Sequence, residues 1–266
     1  YFAFGFDEDA IRNFCACFGP VSHVQADVSN TGTAYVTFTK RWAALDLIRG
    51  LNEVDEAITF ALVQHNQLLE AGQMVATLKI IPFLVAEASI VKIESLLNGA
   101  VAFSFHPLRQ CNVGLVQTQL AGQHDRLFIA TKTVTQARLS RIGCHLVDSR
   151  ICSHDRAAIA DEIRLCIEAG AELVLICGGT AIMDREDEVP QSVLLVGGKI
   201  DQLGLAVDPG NLLMLGRFGD DLGGGYVIGM PGCARSPKLN GLDWVLQLVL
   251  ANIPLDRREL ADMAAG

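Results

Sequence analysis

The sequence is short of charge, and of positive charge most of all. Only 19% of its 266 residues are charged, and 30 acids against 21 bases leave a net charge of −9. A bulk nucleic-acid binder needs a basic face to neutralise phosphates, so that class is excluded as the main function. A local basic site for a small anion is not. Long apolar runs are missing too. The longest, around Leu242 to Ile253, is broken by Asp243, Gln247 and Asn252, short of the roughly 18 apolar residues that a membrane helix needs. The chain starts at Tyr1, without a methionine and without a secretory signal, as a fragment would. Eight cysteines include no Cys-x-x-Cys pair. Cys144, Cys166 and Cys177 sit among apolar residues, where a free thiol serves as a small hydrophobe, and the expected setting is a reducing cytoplasm. What the chain has in quantity is apolar surface: 50% of its residues are hydrophobic, enough for one large globular domain or two modest ones.

Residues 1–107 read as a smaller α/β region. Tyr1 to Phe6 is a candidate strand, and Glu8 to Phe18 has helical spacing stopped by Gly19-Pro20. Thr33 to Phe38 alternates as a strand, and a helix follows over Ala43 to Ile48. This order resembles part of an RNA-recognition motif, but the segment has five acids against four bases, so a small α/β layer is the better reading. Val54 to Phe60 is helical in pattern. A turn at Gly72 leads to a strand ending at Pro82, Ser89 to Leu97 is a short helix, and His106-Pro107 is a connection.

From Cys111 strands and helices alternate, the signature of an open, mostly parallel sheet with helices on both faces. The predicted strands are Asn112–Thr118, Cys144–Val147, Leu173–Cys177, Leu212–Leu215 and Tyr226–Gly229, with Lys199–Ala206 extended. The predicted helices are Lys132–Ile142, Ala157–Ala169, Val189–Val196 and Pro237–Leu250. The fold class is therefore α/β, with the main domain over 108–266.

Three glycine-marked turns fall at strand ends. Gly178-Gly179-Thr180 closes an apolar strand and is followed by the acids Asp184, Glu186 and Asp187. Asp208-Pro209-Gly210 forms the second turn. The third is Pro231-Gly-Cys-Ala-Arg-Ser236, where Ser236 is expected to cap a helix whose first residue is Pro237. That helix start would supply an anion site, with charge added by Arg235. Open α/β sheets bind ligands at the carboxyl ends of their strands, where these turns lie.

The three turns in this order resemble the molybdopterin-binding domain shared by molybdopterin adenylyltransferases, molybdopterin molybdotransferases and related proteins of molybdenum-cofactor biosynthesis. The resemblance covers about residues 111–252, and Val54-Asp-Glu-Ala-Ile58 with Ala71 to Phe83 resembles the upstream part of one subgroup. It implies that Gly178, Gly179 and Thr180 contact the ligand, together with Pro209, Gly210, Pro231, Gly232, Cys233, Arg235 and Ser236. It also implies Asp187, Asp155 and Asp184 as catalytic acids, with Asp187 and Asp155 on Mg²⁺. The implied ligand is molybdopterin, with ATP or CTP as co-substrate. Implied partners are a nucleotidyltransferase or a molybdoenzyme, and a homo-oligomer in which a neighbour completes the site. The sequence departs from the pattern at Ala181, where the adenylyltransferases carry glycine. Val116-Gln-Thr118 also lacks their Ser-Asp pair, and the molybdotransferases' Thr-Gly-Asp-Glu is missing. Three functions follow as expectations: an enzyme of nucleotidyl transfer or metal insertion, a non-catalytic carrier of the cofactor, and, disfavoured by the charge balance, RNA binding through residues 1–50.

Overall fold

The computed structural model describes residues 33–38, 41–64, 67–70, 75–81, 85–97, 103–219, 224–255 and 257–263. The expected strand at Tyr1–Phe6, helix at Glu8–Phe18 and Gly19-Pro20 stop lie outside the described residues, as do Gly72 and Pro82. The chain divides into two compact units, Tyr1–Leu108 and Arg109–Gly266.

In the first unit, β1 (Thr33–Phe38) pairs antiparallel with β3 (Gln67–Glu70) and β5 (Phe103–Pro107), and β2 (Ile58–Leu62) pairs with β4 (Ala76–Ile80). Helices α1 (Arg41–Asn52) and α2 (Glu87–Leu97) bring Leu51, Ile93 and Leu97 to a core with Ile58, Phe60 and Leu69. The structure corrects two expectations. Residues 54–60 do not form a helix. Asp55 instead bonds the Ala57 N–H and the Ser89 hydroxyl in a turn, and the Asn52 amide both donates to and accepts from the Phe60 backbone, which starts a strand there. The bonds donated by Ala57 and Ser89 hold the Asp55 carboxyl below its ordinary range. His106 and Pro107 are the end of β5 and not a connection.

The second unit is a six-stranded sheet in the order β7-β6-β8-β11-β10-β9. The strands are β6 (Asn112–Gln119), β7 (His145–Ser153), β8 (Leu173–Cys177), β9 (Lys199–Leu203), β10 (Met214–Phe218) and β11 (Gly225–Gly229). β6, β7, β8 and β11 are parallel, and β10 is antiparallel to both β11 and β9. One strand is therefore reversed, and the sheet is mostly parallel as expected. β8 is central and apolar on both faces, as a buried parallel strand must be. Val174 and Ile176 point to a core with Ile159 and Ile163 of α4 (Arg156–Glu168) and Val189 and Val193 of α5 (Glu188–Leu195). Leu173 and Leu175 alternate to the opposite face. α4 comes close because Gly114 of β6 has no side chain: a Cβ there would stand 2.7 Å from that of Cys166.

Helices α3 (Asp125–Arg141) and α6 (Gly241–Leu250) are tied together by a buried ion pair, Arg138 Nε to Asp243 Oδ1 at 2.7 Å. Two helix starts differ from the sequence reading. α3 begins at Asp125 and not Lys132, because two of its core-facing positions are Thr131 and Thr135 and the apolar period is weak there. α6 begins at Gly241 and not Pro237. Asn240 and Asp243 form a reciprocal capping box, which outcompetes a start at Ser236-Pro237. No helix among the described residues is long and apolar enough to cross a membrane.

Candidate functional site

Since β6, β7, β8 and β11 run in parallel, their carboxyl ends share one edge of the sheet. The Gly178–Thr180 loop leaves β8 there, and the Pro231–Ser236 segment leaves β11 beside it. Arg235 joins the two: its Nη2 donates to the Gly178 carbonyl at 3.0 Å, and its Nη1 donates to the Thr131 hydroxyl of α3 at 3.2 Å. The guanidinium is half-buried and planar, so two directed bonds fix its orientation.

The glycines are placed where backbone is close-packed. A Cβ on Gly178 would stand 2.7 Å from the Thr180 carbonyl, and one on Gly179 would stand 2.9 Å from Leu120 Cγ. The loop is held from below by residues that the sequence reading did not single out. Gly179 N donates to the Thr118 hydroxyl at 2.6 Å, that hydroxyl meets His154 Nδ1 at 2.7 Å, and His154 Nε2 meets the exposed Thr180 hydroxyl at 3.0 Å. A histidine directly before the acid that heads α4, at the end of β7, was the sequence signal for this network.

In the second turn the chain closes onto protein. Asp208-Pro209 is a cis peptide, and Gly210 has φ +124°, a conformation that favours glycine. Its Cα side abuts the Gly241 amide, and Gly241 N donates to the Pro209 carbonyl at 2.9 Å. Pro209 is exposed and Gly210 buried, and together they seal the start of α6. The anion site expected at a Pro237 helix start is therefore replaced. Residues 232–235 make one 3₁₀ turn, and Arg138 binds the carbonyls of Ala234, Ser236 and Lys238. Gly232 faces open space, and burial pushes the Cys233 thiol up.

The acids are engaged locally. Asp155 caps α4 by accepting from the amides of Ala157 and Ala158. Asp187 Oδ2 accepts from the amides of Met183 and Asp184 at 2.7 and 3.0 Å, and Asp184 accepts from Glu186 N. Glu188 clamps two helices. Its carboxylate takes the Arg156 amide and two bonds from the Arg156 guanidinium, which joins the starts of α4 and α5. Those bonds depress the Glu188 carboxyl and raise Arg156. Mg²⁺ is bound through one or two carboxylates plus ligand phosphates. Among the described residues no group of three or more His, Cys, Asp or Glu is placed to hold a metal ion. Asp155 and Asp187 alone do not make a cation cage; a phosphate-bearing ligand would have to complete it.

No protein-family model matches the chain, and no curated protein does. Solved structures do match. A tungsten cofactor synthesizing protein, MoaB, from Pyrococcus furiosus is 17% identical with a TM-score of 0.35, over 54% of this chain and 91% of that one. The molybdopterin biosynthesis enzyme MoaB from Thermus thermophilus is 20% identical with a TM-score of 0.35, over 59% of this chain and 98% of that one. Similarity at this level assigns no residue a role.

Proposed function

We propose that residues 109–266 bind molybdopterin or its nucleotide form during molybdenum-cofactor biosynthesis. One observation carries the reading: Arg235 bridges the two glycine loops that the sequence resemblance gives to the ligand, on adjacent parallel strands. Molybdopterin ends in a phosphate, and a basic side chain among loop amides and hydroxyls suits a phosphate. In this reading Gly178, Gly179 and Thr180 meet the phosphate side. Pro231, Gly232, Cys233 and Ser236 line the pterin side. Pro209 and Gly210 contribute by holding α6.

The binding module is favoured over the enzyme because the carboxylates of Asp155, Asp184 and Asp187 all accept from nearby backbone amides. As a carrier the protein hands its ligand to a nucleotidyltransferase or molybdoenzyme in the cytoplasm, as a homo-oligomer. The enzymatic reading, nucleotidyl transfer from Mg·ATP or Mg·CTP or metal insertion, has Asp187 and Asp155 offer their second oxygens to Mg²⁺ beside the ligand's phosphate. Purified protein mixed with molybdopterin, with and without Mg·ATP or Mg·CTP, separates the two. Binding without a nucleotide product supports the carrier, a product supports the enzyme, and failure to bind any pterin sinks both.

A further inference from the structure

The network beneath the glycine loop fixes where its protons lie. Thr118 is wholly buried, and its hydroxyl has two partners, the Gly179 amide and the His154 ring. The amide can only donate, so it occupies a lone pair of the Thr118 oxygen. The Thr118 proton must then go to the other partner, since a buried donor left unmade is costly. It goes to His154 Nδ1, which becomes an acceptor. A neutral imidazole that accepts at Nδ1 carries its proton at Nε2, and Nε2 is 3.0 Å from the Thr180 oxygen. Thr180 therefore accepts from His154, and its own proton is turned outward. The side chain is exposed at the carboxyl edge of the sheet, on the loop that Arg235 holds.

We propose that His154 is a positioning residue. As the Nε2–H tautomer, fixed by Thr118, it makes the Thr180 hydroxyl a donor aimed at an anionic, phosphate-type oxygen of the ligand. The proposal rests on the binding reading of this site and adds the donor that recognises the anion. The relay runs Gly179 N–H to Thr118 Oγ, Thr118 O–H to His154 Nδ1, His154 Nε2–H to Thr180 Oγ, and Thr180 O–H to the ligand. Its parts come from the ends of β6, β7 and β8, which are far apart in sequence.

Two measurements on the intact chain test it. Nitrogen NMR of the His154 ring at neutral pH should show Nδ1 unprotonated and Nε2 protonated. Thr118→Val, which keeps the side chain's shape and removes its hydroxyl, should release that preference. Titration with inorganic phosphate, read at the Gly179 and Thr180 amides, should show Thr180→Val and His154→Ala each weakened by about tenfold or more, the scale of one hydrogen bond to a charged group. Thr118→Val should weaken binding while leaving Thr180 in place. His154→Gln, which can return an N–H near the Nε2 position, should recover part of the loss, a rescue that a merely structural histidine would not give. An Nδ1–H tautomer in the wild type, phosphate affinity indifferent to Thr180→Val, or no phosphate binding at all would overturn the proposal. Phosphate binding with no molybdopterin binding would uphold the relay and remove the pterin reading.

Discussion

The loop after β8 and the acids that follow it are close in sequence and are held in opposite ways. Gly178, Gly179 and Thr180 are fixed by Arg235, Thr118 and His154, which stand 57, 61 and 26 residues away. Asp184 and Asp187 are fixed by amides within four residues of themselves. The first kind of contact exists only when four strand ends have been assembled. The second is turn chemistry that any acidic loop makes. A carboxylate committed to its own turn has one oxygen left for chemistry, whereas the loop is presented by the whole fold. The contrast favours recognition at the loop over catalysis at the acids.

The largest effect that would break this contrast is at Arg138. Its side chain is 6% exposed, and besides Asp243 the guanidinium binds three carbonyls of the segment that carries Arg235. Arg138→Met leaves Asp243 buried and unpaired, and should cost about 3–5 kcal/mol. The urea midpoint is expected to fall with the slope unchanged. A midpoint close to wild type would mean that the β11 loop is not held from below.

Next in size is Gly178→Ala. The new Cβ would meet the Thr180 carbonyl, which cannot move without moving the loop. A loss of about 1–3 kcal/mol in thermal unfolding is expected, with weaker molybdopterin binding in the same preparation. Smaller again is Asp155→Ala, which removes two cap bonds and should cost about 1 kcal/mol, while Asp155→Asn stays near wild type because its amide oxygen can still cap. If Asp155→Asn instead abolished a nucleotidyl-transfer activity, the acids would be catalytic and the contrast would fail.

The gentlest test is pH. Arg156 lowers the Glu188 carboxyl below its ordinary 4.5, so the native state binds that proton less readily than the unfolded chain. The stabilisation is present above the ordinary value and is lost as pH falls through the depressed one. Glu188→Gln should therefore flatten the acid limb of a stability–pH profile and leave the neutral limb's shape unchanged. An unaltered acid limb would show that the α4–α5 clamp contributes nothing.

Much of the second unit was legible because it obeys local rules. β8 reads as five apolar residues bounded by Gly170 and Gly178-Gly179, and α4 and α5 keep a clear apolar period. What escaped depended on partners distant in sequence. Thr118 and His154 are a threonine and a histidine at two strand ends until the parallel pairing of β6 with β7 brings them together. Arg138 sits on a helix whose apolar period is weak, and its partner Asp243 is 105 residues on. Asn240-x-x-Asp243 has capping-box spacing, but Ser236-Pro237 offers an earlier start signal in the sequence, and only the fold decides between them for α6. In the first unit, the strand at Ile58–Leu62 was hidden by the acids before it, and its start is set by the side chain of Asn52.

On the proposed reading, the bridged loops hold the ligand and the acids do not. Titrating molybdopterin into the wild type, Arg235→Ala and Asp187→Asn tests it most directly, without added nucleotide or Mg²⁺. Asp187→Asn keeps an oxygen for the Met183 and Asp184 amides, and Arg235→Ala removes the bridge to Gly178. Binding by the wild type, a loss of about tenfold or more in Arg235→Ala and affinity near wild type in Asp187→Asn are expected. Loss in Asp187→Asn with Arg235→Ala unaffected would contradict it.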